Sequence, residues 1–212
     1  MKETILNMAT EMFLEFGFKS ITMDDIAEKL GISKKTIYAN YSTKTKLVTD
    51  VVYNLLDIIQ KSISAIKSKN LNSIEELFEI KKQIGIFLKD EKTSPQFQLQ
   101  KYYPKIFKKV ESERSAMVEC SIWENVTKGV KEGLFRKEIN IDFTCKLYNE
   151  CMHLIRNPHI FPSEKYTKAE LFQLYIDYHI RAIATKKGLE ILEDLVLAPI
   201  KQENYSRFQK LI

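Results

Sequence analysis

Residues that break helices or form covalent cross-links are scarce in this sequence. Its 212 residues include six glycines, five prolines and three cysteines, and no stretch alternates between apolar and polar residues as a half-buried strand does. This pattern favours an all-α fold. The three cysteines, Cys120, Cys145 and Cys151, are widely spaced and odd in number, which argues against a disulfide framework and against a zinc site. We interpret each as a buried structural thiol, with a redox-sensing role as the alternative.

Long apolar runs and catalytic motifs are also missing. No run approaches the ~18 apolar residues that a membrane span requires, and the N-terminus lacks a secretory apolar region, so we expect a cytoplasmic globular protein that does not enter membranes. There is no glycine-rich phosphate loop, no G-x-S-x-G elbow and no H-E-x-x-H helix. No two histidines stand four residues apart. We therefore predict no enzyme activity, no metal site and no cofactor.

The segment 22–47 contains the most informative pattern of the chain. It predicts two short helices joined by a tight turn, followed at once by a third helix, which is the layout of a helix-turn-helix DNA-binding motif. Small Ala27 fits a helix crossing, Gly31 can take the positive φ of a helix end, and Ile37 fills the crossing from the other side. Thr22 and Ser33 are placed as N-caps of the two helices.

The second helix of this motif divides into buried and free positions. Ile37 and Tyr41, four residues apart, are predicted to point inward. The outward residues are able to donate hydrogen bonds to phosphates or base edges, and they are Lys34, Lys35, Thr36, Tyr38 and Asn40. Four lysines and no acid lie between residues 34 and 46. Lysines alone are typical of any solvated face, so it is the Ala, Gly and Ile spacing that favours DNA.

The first fifty residues resemble the N-terminal domain of the TetR family of transcriptional regulators. The matching residues are Ile5, Ala9, Phe13, Gly17, Phe18, Thr22, Ile26, Ala27, Leu30, Gly31, Ile32, Ser33, Lys34, Thr36, Ile37, Tyr38, Tyr41, Lys44 and Leu47. The resemblance and the exposed positions together give the predicted DNA-binding residues Thr22, Ser33, Lys34, Lys35, Thr36, Tyr38, Asn40, Tyr41 and Lys44. The family usually carries glycine where this chain has Lys35, and two acids where it has Thr45 and Lys46. Both departures make the net charge of this segment more positive. We therefore expect stronger salt dependence and lower sequence selectivity than in a typical member.

The rest of the chain is predicted to be helical. We divide the protein into a helix-turn-helix DNA-binding domain, 1–46, and a helical ligand-sensing and dimerisation domain, 47–212. The helices are expected at about 43–68, 73–90, a short one ending near 103, then 112–132, 141–157, 167–187 and 189–197. Gly188 is expected to end the helix before it, and the helix at 43–68 to be the only one joining the two domains.

Two helices, 141–157 and 167–187, have apolar arcs broader than one core-facing stripe, which indicates a second buried face. The family resemblance implies that they pair with their copies in a homodimer. Aromatic residues in the middle of the chain are candidates for contacting an apolar or planar ligand, although aromatic residues at helical spacing are more often core. These candidates are Phe97, Tyr102, Tyr103, Phe107, Trp123 and Tyr148.

The function that these predictions give is a ligand-responsive transcriptional regulator. As a homodimer, it would bind a palindromic operator in double-stranded DNA, act as a repressor as the family usually does, and be released by a small-molecule inducer. The alternative is a helical ligand-binding or adaptor protein in which the helix-turn-helix serves only as a packing unit.

Overall fold

The structure is a computed structural model that describes residues 1–87, 95–162 and 164–197. Within these ranges it contains ten α-helices and no strand, with one isolated bridge between Phe135 and Ala184. The helices are α1 Lys2–Phe16, α2 Met23–Lys29, α3 Lys34–Asn40, α4 Lys44–Lys67, α5 Ser73–Phe87, α6 Pro95–Tyr102, α7 Pro104–Lys131, α8 Ile141–Leu154, α9 Lys168–Ile183 and α10 Lys186–Leu197. The prediction of an all-α fold is confirmed.

The chain forms two compact units. The first unit comprises Met1–Ile58 and the described part of Glu91–Glu113. Its core is built on apolar residues at helical spacing in α1, which bury one face of that helix against α2, α3 and α4. The residues with no measurable exposure in this core are Ile5, Ala9, Phe13, Ile26, Ile37, Leu47, Val48 and Val51. Leu99 of α6 and Val110 of α7 complete the core.

The second unit comprises Ile59–Asp90 and Arg114–Asn204 so far as they are described. Its core joins α5, α7, α8, α9 and α10 around Ile74, Val126 and Phe135. A buried polar group ties α5 to α7: Asn125 Nδ2 donates to Glu76 Oε1 at 3.0 Å, and Lys128 Nζ lies 2.8 Å from Glu76 Oε2. Because Glu76 is only 4% exposed, these hydrogen bonds replace the water contacts that its carboxyl group loses on burial.

Several predicted boundaries are corrected by the structure. The helix expected from 112 begins at Pro104, because proline needs no N–H partner in a first helical turn. Gly188 lies inside α10 instead of ending a helix, since α9 already stops at Ile183. Residue 46, after which the first domain is predicted to end, lies in the first turn of α4, and that division stays a prediction. Both α4 and α7 have residues in each unit, so α4 is not the only connecting helix.

Candidate nucleic-acid interface

The start of α2 is fixed by a reciprocal pair of hydrogen bonds. The Asp25 backbone N–H donates to Thr22 Oγ1 at 3.2 Å, and the Thr22 backbone N–H donates to Asp25 Oδ2 at 2.7 Å. These two hydrogen bonds form a capping box, and they confirm the predicted N-cap at Thr22. The hydrogen bond from the Thr22 backbone holds the pKa of the Asp25 carboxyl below its usual value. The N-terminus of α2 is therefore locally rigid at the point where phosphate contact is predicted.

The turn between α2 and α3 depends on Gly31. Its φ of +65° lies in the left-handed region, which glycine adopts without steric cost. The chain then reverses so that the Ile32 N–H donates to the Ala27 carbonyl at 3.0 Å. Ala27 is 3% exposed and allows close helix packing. The predicted roles of Ala27 and Gly31 are confirmed.

Helix α3 begins at Ser33, whose Oγ accepts a hydrogen bond from the Thr36 backbone N–H at 3.1 Å. The predicted N-cap is therefore present. Ile37 is fully buried, whereas Lys34, Lys35 and Tyr38 are exposed. The helix is thus anchored on one side and presents donor groups on the other, as a reader of the major groove requires.

Tyr41 requires a correction. Its side chain is 1% exposed and belongs to the core of the first unit, and burial raises the pKa of its hydroxyl. The ring therefore has no surface with which to touch DNA, and its place among the predicted DNA-contacting residues is wrong. The prediction that Tyr41 points inward with Ile37 is confirmed. Tyr41 holds the C-terminal end of α3 in position.

The charged groups around α3 are partly engaged with one another. Lys34 Nζ lies 2.5 Å from Asp24 Oδ2, and Lys46 Nζ lies 2.6 Å from Asp50 Oδ1. No carboxylate among the described residues pairs with Lys35, so its charge is available to a phosphate. An acid in the first turn of α2 complements the helix dipole, but the pairing of Asp24 with Lys34 of the next helix was not predicted.

Two further predicted DNA-contacting residues already have partners. The Asn40 side-chain amide donates to the Thr36 carbonyl at 2.8 Å, which leaves its second N–H and its oxygen for a base edge. Lys44 Nζ donates to the Lys19 carbonyl at 3.2 Å, and partial burial lowers the pKa of Lys44. This contact between the α1–α2 loop and α4 joins residues 25 positions apart and was not predicted.

The six predicted ligand-contacting aromatic residues do not form one group. Phe97, Tyr102, Tyr103 and Phe107 belong to the first unit, where Tyr103 packs edge-on against Phe18 at a ring distance of 6.5 Å. Trp123 and Tyr148 belong to the second unit. Helix α6 and the start of α7 pack on the helix-turn-helix core, and the ligand-contacting role of these residues stays a prediction.

Within the second unit, Trp123 and Tyr148 have different surroundings. Trp123 is 45% exposed and lines an open groove of about 430 Å³ with Glu124, Thr127 and Lys128. Tyr148 is buried beside His179, with ring centres 4.8 Å apart. The His179 Nε2 atom is buried without a hydrogen-bond partner among the described residues. Burial lowers the pKa of His179 to about 4, so the imidazole is neutral at pH 7.

The described residues contain no cluster of three or more histidine, cysteine or acidic side chains that could hold a metal. None of the described helices combines the length and the apolar character that crossing a membrane requires. All three cysteines are free thiols. Cys145 is buried, which raises the pKa of its thiol to about 11, but Cys120 is exposed, so the prediction of a buried thiol there is wrong.

Sequence comparison places the first part of the chain beside known regulators. The family described as bacterial regulatory proteins, tetR family, matches residues 5–51. The biofilm operon icaADBC negative transcriptional regulator IcaR of Staphylococcus aureus is 29% identical over 79 residues, which cover 37% of this chain and 42% of IcaR. The transcriptional regulator YhgD of Bacillus subtilis is 36% identical over 67 residues, or 31% of this chain and 35% of YhgD. The chain thus matches less than half the length of either protein.

Structural comparison extends over most of the chain. A transcriptional regulator from Saccharomonospora viridis, solved in complex with choline, has a TM-score of 0.71 at 15% identity, covering 87% of this chain and 98% of that one. At this level of identity, the similarity demonstrates the fold, including its C-terminal helical part.

Proposed function

Because residues 5–51 are a TetR-family regulatory domain, we propose that this protein is a transcriptional repressor that binds a palindromic operator as a homodimer and is released by a small-molecule inducer. The observation that carries the proposal is the exposed face of α3, where Lys34, Lys35 and Tyr38 project from a helix anchored by fully buried Ile37. Exposed lysines alone would also suit a packing unit, so the Ala27, Gly31 and Ile37 geometry of the helix-turn-helix is what favours the DNA-binding role.

The donors on this face suit the two kinds of DNA contact. The Thr22 hydroxyl oxygen accepts a backbone hydrogen bond, which leaves its O–H able to donate to a phosphate. The Ser33 and Thr36 hydroxyls share one hydrogen bond at 2.8 Å, which leaves one O–H of that pair for a phosphate. The lysines can contact guanine or phosphate, and Asn40 can contact adenine. Phosphate contacts orient the protein, whereas base contacts select the sequence.

The homodimer is supported by an apolar surface on α8 and α9, which we name the α8–α9 face. It comprises Phe143, Leu147 and Leu154 of α8 with Leu174 and Tyr178 of α9, each between 45% and 68% exposed. Other apolar residues of the same helices, including Leu171 and Ile176, lie in the core. The two helices are thus apolar on both sides, and a second copy would cover the outer one. Two α3 helices at least one turn of DNA apart, roughly 34–36 Å, would then meet successive major grooves.

We place the inducer site in the second unit, near Tyr148, Tyr175 and His179. Their rings contact one another, with the His179 ring centre 4.8 Å from that of Tyr148 and 6.0 Å from that of Tyr175. A neutral imidazole with an unpartnered Nε2 among aromatic rings suits an apolar or planar ligand with one hydrogen-bonding group. Binding of choline by the Saccharomonospora viridis regulator is a precedent for ligand binding on this fold.

The test is selection of duplexes from a random DNA pool by the purified protein at near-physiological salt. We expect an inverted repeat, and we expect Lys34→Ala with Tyr38→Ala to abolish its selection. Lys137→Ala with Tyr166→Ala is the matched control, because both residues are exposed in the second unit, and it should select the same repeat. Selection of no motif by the wild-type protein would contradict the proposal and favour the adaptor alternative.

A further inference from the structure

A second basic surface lies in the first unit, outside the helix-turn-helix. Residues 95–110 contain four lysines and no acid, interleaved with four aromatic residues. Basic residues interleaved with aromatic ones are typical of surfaces that bind nucleic acids. Helix α6 and the start of α7 lie on the core of the helix-turn-helix through Leu99 and Val110, so this charge belongs to the same compact unit as α3.

Two of the lysines of this unit converge on one aromatic ring. Lys19 Nζ lies 4.6 Å from the centre of the Tyr102 ring, and Lys101 Nζ lies 5.5 Å from it. The two ammonium groups are therefore at most about 10 Å apart, and each lies within the Debye length of about 8 Å of the same ring. Both side chains are exposed, and no carboxylate in the described part of the chain pairs with either. An external anion beside this ring would be attracted by both lysines.

Hydrogen bonds connect this pair of lysines to the predicted phosphate contacts. The Lys19 backbone N–H donates to Gln98 Oε1 at 3.0 Å, which attaches α6 to the α1–α2 loop. The Lys19 carbonyl accepts from Lys44 Nζ at 3.2 Å. Lys19 also stands three residues before Thr22, the N-cap of α2. It is therefore flanked on both sides by residues predicted to contact the DNA backbone.

We propose that Lys19 and Lys101, held around Tyr102, bind phosphates that flank the operator half-site and so extend the protein–DNA contact beyond the helix-turn-helix. We name this pair the flanking ridge; it rests on the proposed function. Each DNA strand carries a phosphate every ~3.4 Å along the axis, so a strand held at Thr22 and Lys44 offers further phosphates next to that point. The ridge adds affinity and salt dependence, and it reads no bases.

The experiment measures operator affinity as a function of salt for the full-length protein. In the variant Lys19→Gln with Lys101→Gln, each protomer loses two charges and a dimer loses four. Since the slope of log K against log salt is about −0.9 per phosphate neutralised, we expect the slope to become shallower by about 3 to 4. Affinity at physiological salt should fall at least tenfold, and the base preference should stay the same.

Controls separate charge from structure. Lys19→Arg with Lys101→Arg keeps the charge and should keep the wild-type slope, whereas Lys137→Gln with Lys187→Gln removes two exposed charges of the second unit and should change nothing. Shortening the DNA outside the operator should weaken the wild-type protein but not the glutamine variant. Thermal unfolding verifies that each variant is folded.

Two results overturn the inference while the proposed function stands: an unchanged salt slope in the glutamine variant, or an altered base preference. A wild-type protein that binds no operator overturns both this inference and the proposed function.

Discussion

Tyr178 offers a quantitative test of the α8–α9 face. It is 68% exposed on α9, one helical turn from Leu174, which is 60% exposed. Neither side chain supports the core of the second unit from the inside. Substitution of Tyr178 by alanine should therefore leave the fold of the protomer intact and act on association alone.

The magnitude follows from the exposed fraction. Full burial of an apolar side chain of this size stabilises by about 1.5–3 kcal/mol, so covering the exposed part of Tyr178 contributes about 1–2 kcal/mol in each protomer. A twofold interface uses each residue twice, so Tyr178→Ala should weaken dimerisation by about 2–4 kcal/mol. The dimer dissociation constant should then rise roughly 30- to 1,000-fold.

Sedimentation equilibrium over a range of protein concentrations measures this constant directly. Trp123→Ala is the matched control, because Trp123 is also a large, exposed aromatic residue of the second unit but lies on α7, and it should leave the constant unchanged. Far-UV circular dichroism verifies the helical content of both variants. The DNA readout is independent: the Tyr178 variant should lose affinity for the complete palindrome and keep its weak affinity for a half-site.

Two outcomes would refute the assignment of the α8–α9 face. One is a Tyr178→Ala protein that dissociates at the same concentration as the wild type. The other is a Trp123→Ala protein that is weakened as much, which would place the interface on α7.

Three further changes have expected outcomes. Gly31→Ala should lower the free energy of unfolding, measured by urea titration, by about 1–2 kcal/mol, because the φ of +65° at this position strains any residue with a Cβ. Gly31→Asn should lower it less, since asparagine tolerates this φ better. Equal losses in the two variants would contradict the role of backbone conformation. Asp24→Asn should strengthen DNA binding several-fold at low salt, as measured by anisotropy titration, because it frees Lys34 and removes a negative charge. Weaker binding by this variant would mean that Asp24 orients Lys34 for its contact with DNA. The pKa of folded His179, about 4, lies below the unfolded value of 6.5, so its contribution to stability is present above pH 6.5 and is lost between pH 6.5 and 4. Between pH 7 and 5 the wild type should lose about 2 kcal/mol more stability than His179→Phe, and equal losses would exclude this linkage.

Local chemistry explains why the helix-turn-helix could be predicted from the sequence. The capping box of Thr22 with Asp25 and the cap at Ser33 each join residues three positions apart. The positive φ of Gly31 is a property of that single residue. Residue type at such short range fixes the conformation before any tertiary contact forms. The all-α fold and the two apolar faces of α8 and α9 follow equally directly from helical periodicity.

The packing position of α6 could not be predicted from the sequence. Helical spacing shows that a side chain is buried or exposed, but it does not identify the element that covers it. The hydrogen bond from Lys19 to Gln98 joins residues 79 positions apart, and the aromatic residues near Tyr102 belong to the same unit as the helix-turn-helix. Trp123 and Tyr148 illustrate the same limit, because one faces a groove and the other the core.

The sequence by itself therefore determined the elements and their caps, and with them the side chains that α3 presents to solvent. Only the tertiary structure decided that Lys34 is paired with Asp24, that Lys44 reaches the Lys19 carbonyl, and that Lys19 and Lys101 share one ring. The physical reason is distance along the chain: caps and turns are satisfied within a few residues, whereas burial and charge pairing depend on which helices meet.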